Sequence, residues 1–320
     1  MRSATALAYA RAGLLGNPSD IYGGRVLAFT FTDFAARVSL TEAARIEIGD
    51  GLVAETLRDA VLPGVARRRE GATALMAAAA TKLVDHARHL IDGAPGFRLR
   101  VASDIPRQAG LAGSSAIVIA ALRVLAAYFA IDVEAPTLAA LALAAETDVL
   151  DITAGPMDRV VQAHEGLLYM DFRPGGAHAR LDPALLPPVF IAWDPMPGES
   201  SGAVHDRVRE RWERGEARVV EAVAELASLA DEGLGALRAG DVDALCRLID
   251  RSFAVRAGVW TLTGRDRDMI EIARRAGVSA KLCGSGGAIV GVLRDPAVFP
   301  PLAAAYRDAG YRTLRPGVGP

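Results

Sequence analysis

The sequence predicts an α+β fold, and three observations support this class. Apolar and charged residues alternate over residues 97–104, which is the period of a strand, and the apolar, Ala-rich residues 116–131 suit a buried helix. Short strand patterns separated by turn residues occur over residues 26–48, as in an antiparallel sheet. The second half of the chain carries three helical patterns, at residues 203–237, 242–257 and 267–276, before its last strands.

Length and composition limit the kind of protein. The 320 residues, 51% hydrophobic and 23% charged, suit one or two domains with a substantial core. A net charge of −2 provides no basic field, so no nucleic-acid partner is expected. The apolar residues 116–131 are too few to span a membrane and include Arg123, so no membrane partner is expected. The two cysteines, Cys246 and Cys283, lie far apart without metal-ligand spacing, which favours a cytoplasmic location over a disulfide framework.

The segment IPRQAGLAGSSA, residues 105–116, turns the predicted strand into the predicted helix. Gly110 and Gly113 let the backbone approach a bound group, and Ser114 and Ser115 fall at the expected N-cap and first turn. Free N–H groups at a helix start attract an anion. A flexible, well-capped turn would have the same pattern. No Lys follows the glycines, which excludes a Walker-type loop.

A carboxylate lies on the apolar face of a second predicted helix, residues 136–150. The apolar positions of this face are Leu138, Leu141, Ala142, Ala145 and Val149. Glu146 follows Leu138 by eight residues and falls on the same face. An inward carboxylate is costly unless a cation compensates it. Either a magnesium ion or a buried Arg would provide that compensation, and we favour magnesium.

A second carboxylate, Asp158, follows Glu146 by twelve residues. Gly155 ends a loop, Pro156 suits the first helical position, and Asp158 falls in the first turn of the next predicted helix. The helix dipole stabilises a negative charge at that position. A carboxylate that only stabilises the helix N-terminus and has no role in catalysis would have the same pattern.

Two further glycine-rich segments are candidates for binding. Residues 9–24, YARAGLLGNPSDIYGG, form a long predicted loop with four glycines, and loops of this length usually have a function. An Asn/Asp-rich turn is the alternative. Residues 281–293, KLCGSGGAIVGVL, are two strand-like runs around a glycine-rich turn, which a tight hairpin would also explain.

Together these segments resemble the three motifs of the GHMP kinases, small-molecule kinases related to galactokinase, homoserine kinase and mevalonate kinase. The P-x-x-x-G-L and G-S-S-A elements resemble the family's phosphate-binding loop. Here Ala112 and Gly113 precede the serine pair, one residue more than in many members, which leaves the role of each serine open. The resemblance implies an N-terminal α/β nucleotide-binding domain, residues 1–185, and a ferredoxin-like C-terminal domain, residues 186–320.

The resemblance also implies ATP and Mg²⁺ as cofactors, together with a set of site residues. It places the phosphate-binding loop at Pro106, Gly110, Leu111, Ala112, Gly113, Ser114 and Ser115. It places the substrate side at Asn17, Ser19, Asp20, Tyr22, Gly23, Gly24, Arg25, Gly284, Ser285 and Gly286. Magnesium would be held by Glu146 and a serine, here assigned to Ser115. The predicted catalytic residues are Asp158, which would contact the substrate hydroxyl, and Arg11, which stands where members often carry a basic residue.

Within the family, the segments GNPSDIYGGR, IPRQAGLAGSSA, TAGPMDRVVQ and SGAVHDRVRERW are most similar to those of the glucuronokinase group. This similarity implies ATP-dependent phosphorylation of D-glucuronate at its anomeric hydroxyl, so a small-molecule sugar acid and ATP are the expected partners. A uronate needs a cation for its carboxylate, and Arg11, Arg25 and Arg107 are the candidates. The alternatives are a kinase for galactose, galacturonate or a heptose, and a non-catalytic sugar- or nucleotide-binding regulator.

Overall fold

The computed structural model describes residues 3–90, 93–196 and 208–318. The strands are β1 (Ser3–Leu15), β2 (Arg25–Glu42), β3 (Ile46–Ile48), β4 (Leu52–Ala54), β5 (Phe97–Ser103), β6 (Leu167–Asp171), β7 (His178–Leu181), β8 (Val189–Trp193), β9 (Ser279–Leu282), β10 (Ala288–Val292) and β11 (Arg312–Leu314). The helices are α1 (Leu57–Ala60), α2 (Gly71–His86), α3 (Gly113–Phe129), α4 (Ala135–Ala144), α5 (Met157–His164), α6 (Ala217–Ala239), α7 (Val242–Val259), α8 (Gly264–Arg275) and α9 (Phe299–Asp308). Residues 208–213 are also helical.

The first of two compact units consists of residues 1–10, 34–105 and 112–164. In it, the second half of β2 pairs antiparallel with β5, and β5 pairs in parallel with the short β3. Helices α2 and α3 pack on each other, and α4 packs on α5. Helix α3 is buried along most of its length, as its apolar, Ala-rich sequence predicts. The predicted strand, turn and helix around residues 97–131 are therefore confirmed.

The second unit consists of residues 11–33, 106–111 and 165–320. Here the first half of β2 pairs antiparallel with β6, which pairs with β7. A separate antiparallel sheet has the strand order β11-β8-β10-β9, with helices between β8 and β9 and between β10 and β11. This βαββαβ arrangement is ferredoxin-like, as expected. Because β1 and β2 contribute to both units, the division is discontinuous, and the domain boundary near residue 185 stays a prediction.

The core of the ferredoxin-like sheet is formed by large buried side chains, among them Phe190, Met269, Leu282 and Tyr306. Local signals set the ends of the helices that cover it. Helix α8 begins with a capping box in which Thr263 and Asp266 satisfy each other's backbone N–H groups.

Two predicted strands, residues 26–31 and 35–40, are one continuous strand, β2. The Thr32 N–H donates to the Gly317 carbonyl oxygen at 2.9 Å, and Phe31 pairs with Val318 across an isolated bridge. These long-range bonds keep the backbone extended where a turn between the two strands was predicted.

The predicted helix over residues 203–237 is interrupted. Residues 203–207, and the first part of the SGAVHDRVRERW segment, lie outside the described residues. Gly215 adopts a φ of +69°, which ends the helical run that includes residues 208–213, and α6 starts at Ala217. Among the helices that the structure describes, none combines the length and apolar character needed to cross a bilayer.

Candidate active site

The loop between β5 and α3 has a backbone conformation that ordinary turns rarely adopt. Gln108, Gly110 and Ala112 have φ values of 54°, 67° and 65°. Helix α3 begins at Gly113, so Ala112 occupies the cap position that the sequence had suggested for Ser114. Ala112 has no side-chain acceptor for the first-turn N–H groups. The helix start therefore has the arrangement that suits an anion, with the positive dipole end directed at the loop.

The two serines of the loop differ in exposure. Ser115 is fully buried, and its Oγ donates to the carbonyl oxygen of Ala112 at 3.1 Å. Ser114 is exposed at the surface of the first turn. The assignment of Ser115 as a magnesium ligand stays a prediction, and the structure gives Ser114 the more accessible hydroxyl.

The conformation of Ala112 is supported by Gln162, a residue that the sequence did not single out. Gln162 is fully buried, and its Nε2 donates to the carbonyl oxygens of Tyr9 at 2.8 Å and Ala112 at 3.0 Å. Arg123 in turn donates to the carbonyl oxygen of Gln162 at 3.0 Å. Because Gln162 lies four residues after Asp158 on α5, it links the helix of that carboxylate to the start of α3.

Glu146 lies in an irregular helical turn. Helix α4 continues as a π-helical segment, Ala145–Val149, a feature that often occurs at functional sites. Glu146 is 1% exposed, so the predicted inward orientation is confirmed. The Nε of Arg159 donates to Glu146 Oε2 at 2.8 Å, and Arg159 Nη2 donates to the same oxygen. The structure thus contains the buried Arg pairing that the sequence left open as an alternative to magnesium.

Asp158 lies in the first turn of α5, as predicted, while Pro156 immediately precedes the helix rather than occupying its first position. The side chain of Asp158 is 20% exposed, and its Oδ2 is 3.8 Å from Arg159 Nη1. Arg159 Nη1 also donates to the Gly155 carbonyl oxygen at 2.7 Å. One buried guanidinium therefore lies beside both carboxylates and orients the turn that carries Asp158.

The oxygen donors near the helix ends suit magnesium. The hydrogen bonds from Nε and Nη2 of Arg159 to Glu146 both end on Oε2. Mg²⁺ commonly binds through one or two carboxylates together with substrate phosphates and water, and the hydroxyls of Ser114 and Ser115 add further oxygen donors. Over residues 3–90, 93–196 and 208–318, no group of three His, Cys, Asp or Glu residues could hold a metal. The assignment of Glu146 as a magnesium ligand stays a prediction.

In the second unit, Asn17 and Ser19 bond to the protein itself. Lys281 Nζ donates to Asn17 Oδ1 at 2.6 Å, and Asn17 Nδ2 donates to the Cys283 carbonyl oxygen at 3.4 Å. Ser19 Oγ donates to the Arg25 carbonyl oxygen at 3.0 Å. Both predicted substrate-side residues thus shape the loop, and a direct contact with substrate stays a prediction for each.

The same segment forms a short 3-10 turn, Ser19–Tyr22, that ends at Gly23 with a φ of +73°. Asp20 is buried within this turn. Burial and the nearby Asp20 carboxylate raise the pKa of Tyr22 to about 12, and its ring lies 5.0 Å from that of Trp212. At Gly24, a side chain would collide with Ser19.

Arg11 connects the phosphate loop segment to the β9–β10 hairpin. Its Nη1 donates to the carbonyl oxygens of Gly110 at 2.6 Å and Cys283 at 3.4 Å. A Cβ on Gly284 would lie 2.9 Å from Arg11 Nη2, and a Cβ on Gly110 would collide with the Gly286 carbonyl oxygen. The segment is the hairpin that the sequence allowed, and its glycines permit close backbone packing against the predicted phosphate loop.

The remaining residues of the predicted loop and cation set differ in their contacts and exposure. The backbone N–H of Arg11 donates to the Leu111 carbonyl oxygen at 3.3 Å, and Pro106 is half-buried. Arg25 forms an ion pair with Asp231, with Nε and Oδ2 2.9 Å apart. Arg107 is exposed. Of the three arginines proposed for a substrate carboxylate, Arg11 and Arg25 thus already contact protein oxygens.

Sequence reasoning missed Arg256 on α7. This residue is 1% exposed, and its Nη2 donates to the Ser285 carbonyl oxygen at 3.1 Å, whereas its Nε and Nη1 have no hydrogen-bond partner within the described part of the chain. Burial lowers the pKa of Arg256 to about 10. Leu245, Ile249 and Phe253 mark the buried face of α7, and Arg256 follows Leu245 by eleven residues. A charge on an apolar face, the signal that identified Glu146, was therefore also present here.

Two family models together match slightly more than half of the chain. The model for the GHMP kinases N terminal domain matches residues 74–166, and the model for the GHMP kinases C terminal domain matches residues 234–312. With its ferredoxin-like sheet and the strand-loop-helix element at residues 97–129, the chain belongs to the GHMP kinase family. It is accordingly an ATP-dependent kinase.

Particular relatives are similar over nearly the whole chain. Glucuronokinase 1 of Arabidopsis thaliana is 33% identical over 96% of this chain and 90% of that protein. Probable glucuronokinase 2 of the same organism is 35% identical over 88% of this chain and 82% of its own length. The crystal structure of mevalonate kinase from Methanococcus jannaschii superposes with a TM-score of 0.81 at 17% identity, covering 100% of this chain and 99% of that one, which shows the shared fold.

Replacing Gln162 with Leu is expected to destabilise the protein by about 1–3 kcal/mol, because two carbonyl oxygens lose their donor. The KM for ATP should rise more than the KM for the acceptor, because Ala112 shapes the phosphate loop. Denaturant unfolding and steady-state kinetics measure the two effects. Gln162→Glu, which keeps the size but places a buried carboxylate against the same two carbonyl oxygens, should destabilise the protein further. A folded Gln162→Leu enzyme with an unchanged KM for ATP would show that Gln162 does not position the loop.

Proposed function

We propose that this protein transfers the γ-phosphate of ATP to the anomeric hydroxyl of D-glucuronate, giving glucuronate 1-phosphate. The observation that carries the proposal is the similarity to two glucuronokinases over nearly the whole chain. The exposed edge of Asp158 and the anion-binding start of α3 supply the two kinds of group that such a transfer needs.

Asp158 is the residue that we assign to the substrate hydroxyl. Its position in the first turn of α5 and the nearby Arg159 guanidinium both stabilise its ionised form. An ionised carboxylate accepts a hydrogen bond from the hydroxyl and orients its oxygen for in-line attack. In a loose phosphoryl-transfer transition state the hydroxyl proton leaves late, so positioning provides most of the contribution.

The start of α3 is proposed to bind the phosphate groups of ATP through its backbone N–H groups, with Gly110 and Gly113 allowing their close approach. We assign magnesium to Glu146 together with Ser114 or Ser115. Bound there, magnesium would neutralise charge on the transferred phosphate. The buried pair with Arg159 holds the Glu146 carboxylate in one orientation.

The proposed partners are a small-molecule sugar acid and ATP. The cytoplasmic location, based on the use of only two cysteines, stays a prediction, and so does the absence of nucleic-acid and membrane partners. In the structure both cysteines are free and buried.

The test is ADP release with magnesium and ATP against glucuronate, galacturonate, glucose, galactose and mannose, with a sugar-free blank. We expect turnover with glucuronate well above that with any neutral sugar, because a site built for a carboxylate leaves a buried cation unpaired with neutral sugars. Phosphate release from the product in mild acid, which is typical of a sugar 1-phosphate, identifies the anomeric position.

Preferential turnover of a neutral sugar would contradict glucuronate as the substrate. The conclusion that the protein is a sugar kinase would remain. No turnover with any of these sugars would favour an acceptor outside the panel or the regulator. Equilibrium binding of ATP and of each sugar separates those two cases, because a regulator binds its ligand without consuming ATP.

A further inference from the structure

We propose that Arg256 binds the carboxylate of the sugar acid and thereby selects a uronate over the corresponding neutral sugar. The inference rests on the proposed function only in taking the substrate to be a sugar acid. It adds a specificity residue that lies outside all three sequence motifs.

The first argument is the hydrogen bonding of the Arg256 guanidinium. A guanidinium has five N–H donors, and the Ser285 carbonyl oxygen accepts a hydrogen bond from Nη2. Nε and Nη1 are buried without a partner among the residues that the structure describes. Buried N–H groups are almost always paired in native proteins, and a buried cation without an anion is costlier still. An acceptor from outside the chain would account for this arrangement.

The second argument is the charge around the hairpin loop. Lys281, Arg11 and Arg256 are all buried in the second unit. Lys281 Nζ has three acceptors: the carbonyl oxygens of Gly13 at 2.9 Å and Leu282 at 2.8 Å, and Asn17 Oδ1 at 2.6 Å. Arg11 donates to backbone carbonyl oxygens. Arg256, by contrast, has two guanidinium nitrogens, Nε and Nη1, without a partner in the described part of the chain.

Two buried carboxylates act on Arg256 electrostatically. Burial lowers the pKa of Arg256, and Arg11 lowers it further, while Asp266 and Asp20 oppose them. Asp266 is engaged elsewhere, because Oδ1 accepts from the Gly287 N–H at 2.8 Å and Oδ2 accepts from Thr263. Burial, followed by the neighbouring Arg256 and Arg11 cations, also lowers the pKa of Lys281 well below its usual value, so positive charge is poorly compensated here and the carboxylate of a uronate would offset it.

The third argument concerns which anion Arg256 binds. Its hydrogen-bond partner Ser285 and its electrostatic neighbour Asp20 both belong to the predicted substrate side. The phosphate groups of ATP are instead expected at the start of α3. A planar guanidinium binds a carboxylate through two parallel hydrogen bonds, which a neutral sugar cannot accept in the same way. We therefore assign the carboxylate, rather than a phosphate group, to Arg256.

The experiment compares Arg256→Gln with Arg251→Gln, a matched control on the same helix whose exposed side chain pairs with Glu225. We expect Arg256→Gln to raise the KM for glucuronate by roughly 10- to 100-fold, the range for hydrogen bonds to charged groups. The KM for ATP and any slow turnover of glucose should remain unchanged, and the control should match the wild type. Calorimetric titration with glucuronate alone should show the same loss of affinity.

Each other outcome has a distinct meaning. An increase in the KM for ATP, equal with every sugar, would assign Arg256 to a phosphate group and overturn the proposal. If the melting temperature falls and activity decreases equally with all substrates, the role of Arg256 is to hold the backbone at Ser285. If Arg256→Gln does not fold, Arg256→Lys keeps the charge without the planar fork, and unchanged glucuronate affinity in that variant overturns bidentate binding.

The two proposals fail in different ways. A wild-type enzyme that neither binds nor phosphorylates glucuronate overturns the proposed function and this inference together. A wild-type enzyme that uses glucuronate, with an Arg256→Gln variant that uses it equally well, overturns the inference alone.

Discussion

Replacing Asp158 with Asn is expected to lower kcat by at least about 100-fold, the lower end of the range for a positioned acid–base group. Asn keeps the size of the side chain and removes the charge that accepts the hydroxyl proton and orients the oxygen. The KM values should change little, because ATP and the sugar are bound mainly by other residues. ADP release under saturating substrates measures kcat, and thermal unfolding shows that the variant is folded.

The matched control is Asp151→Asn, because Asp151 is 83% exposed and its φ of 60° is one that Asn tolerates. This control should keep wild-type turnover and stability. A near wild-type kcat in Asp158→Asn would show that Asp158 takes no part in the reaction. Its position would then be explained by the helix dipole alone.

Replacing Arg159 with Met is expected to destabilise the protein by about 3–5 kcal/mol, because Glu146 then lies buried without its cation. Glu146→Gln should cost less, because the amide oxygen still accepts a hydrogen bond from Arg159. Denaturant unfolding of the two single variants and of the double variant measures the coupling between the side chains.

The same double variant separates the two roles that the sequence allowed for Glu146. If Glu146 only pairs with Arg159, Glu146→Gln combined with Arg159→Met should recover stability and keep the wild-type magnesium requirement. If Glu146 also binds magnesium, stability recovers, whereas the magnesium concentration needed for half-maximal ADP release rises in both variants that lack the carboxylate. We expect the second result, because the Nε and Nη2 hydrogen bonds from Arg159 to Glu146 both end on the same carboxylate oxygen, Oε2.

Several features of the site were predictable because they depend on neighbours along the chain. Helical periodicity placed Glu146 on the buried face, and the Gly155-Pro156 pair placed Asp158 in the first turn of a helix. The alternation over residues 97–104 correctly predicted a strand. Each of these inferences uses spacings of a few residues, over which the period of a helix or strand decides which side a residue faces.

Other features were not predictable from local pattern. The sequence suggested Ser114 as the cap of α3, but the cap is Ala112 and the helix starts two residues earlier, because the backbone at Ala112 is held by Gln162 from another helix. A turn was expected between residues 31 and 35, and a hydrogen bond from Thr32 to Gly317 keeps this backbone extended. In both places a distant partner overrides the local preference.

By itself, the sequence determined the α+β class, the glycine-rich loop between a strand and a helix, and the two inward or helix-end carboxylates. Only the tertiary structure decided which groups the buried charged residues meet. Glu146 meets Arg159, and both Arg256 and Arg11 meet the hairpin loop. Arg11 and the Cys283 carbonyl oxygen that it contacts are 272 residues apart in the chain. Periodicity indicates which side of a helix or strand faces inward. The group that a residue on that side contacts depends on how elements distant in the chain pack.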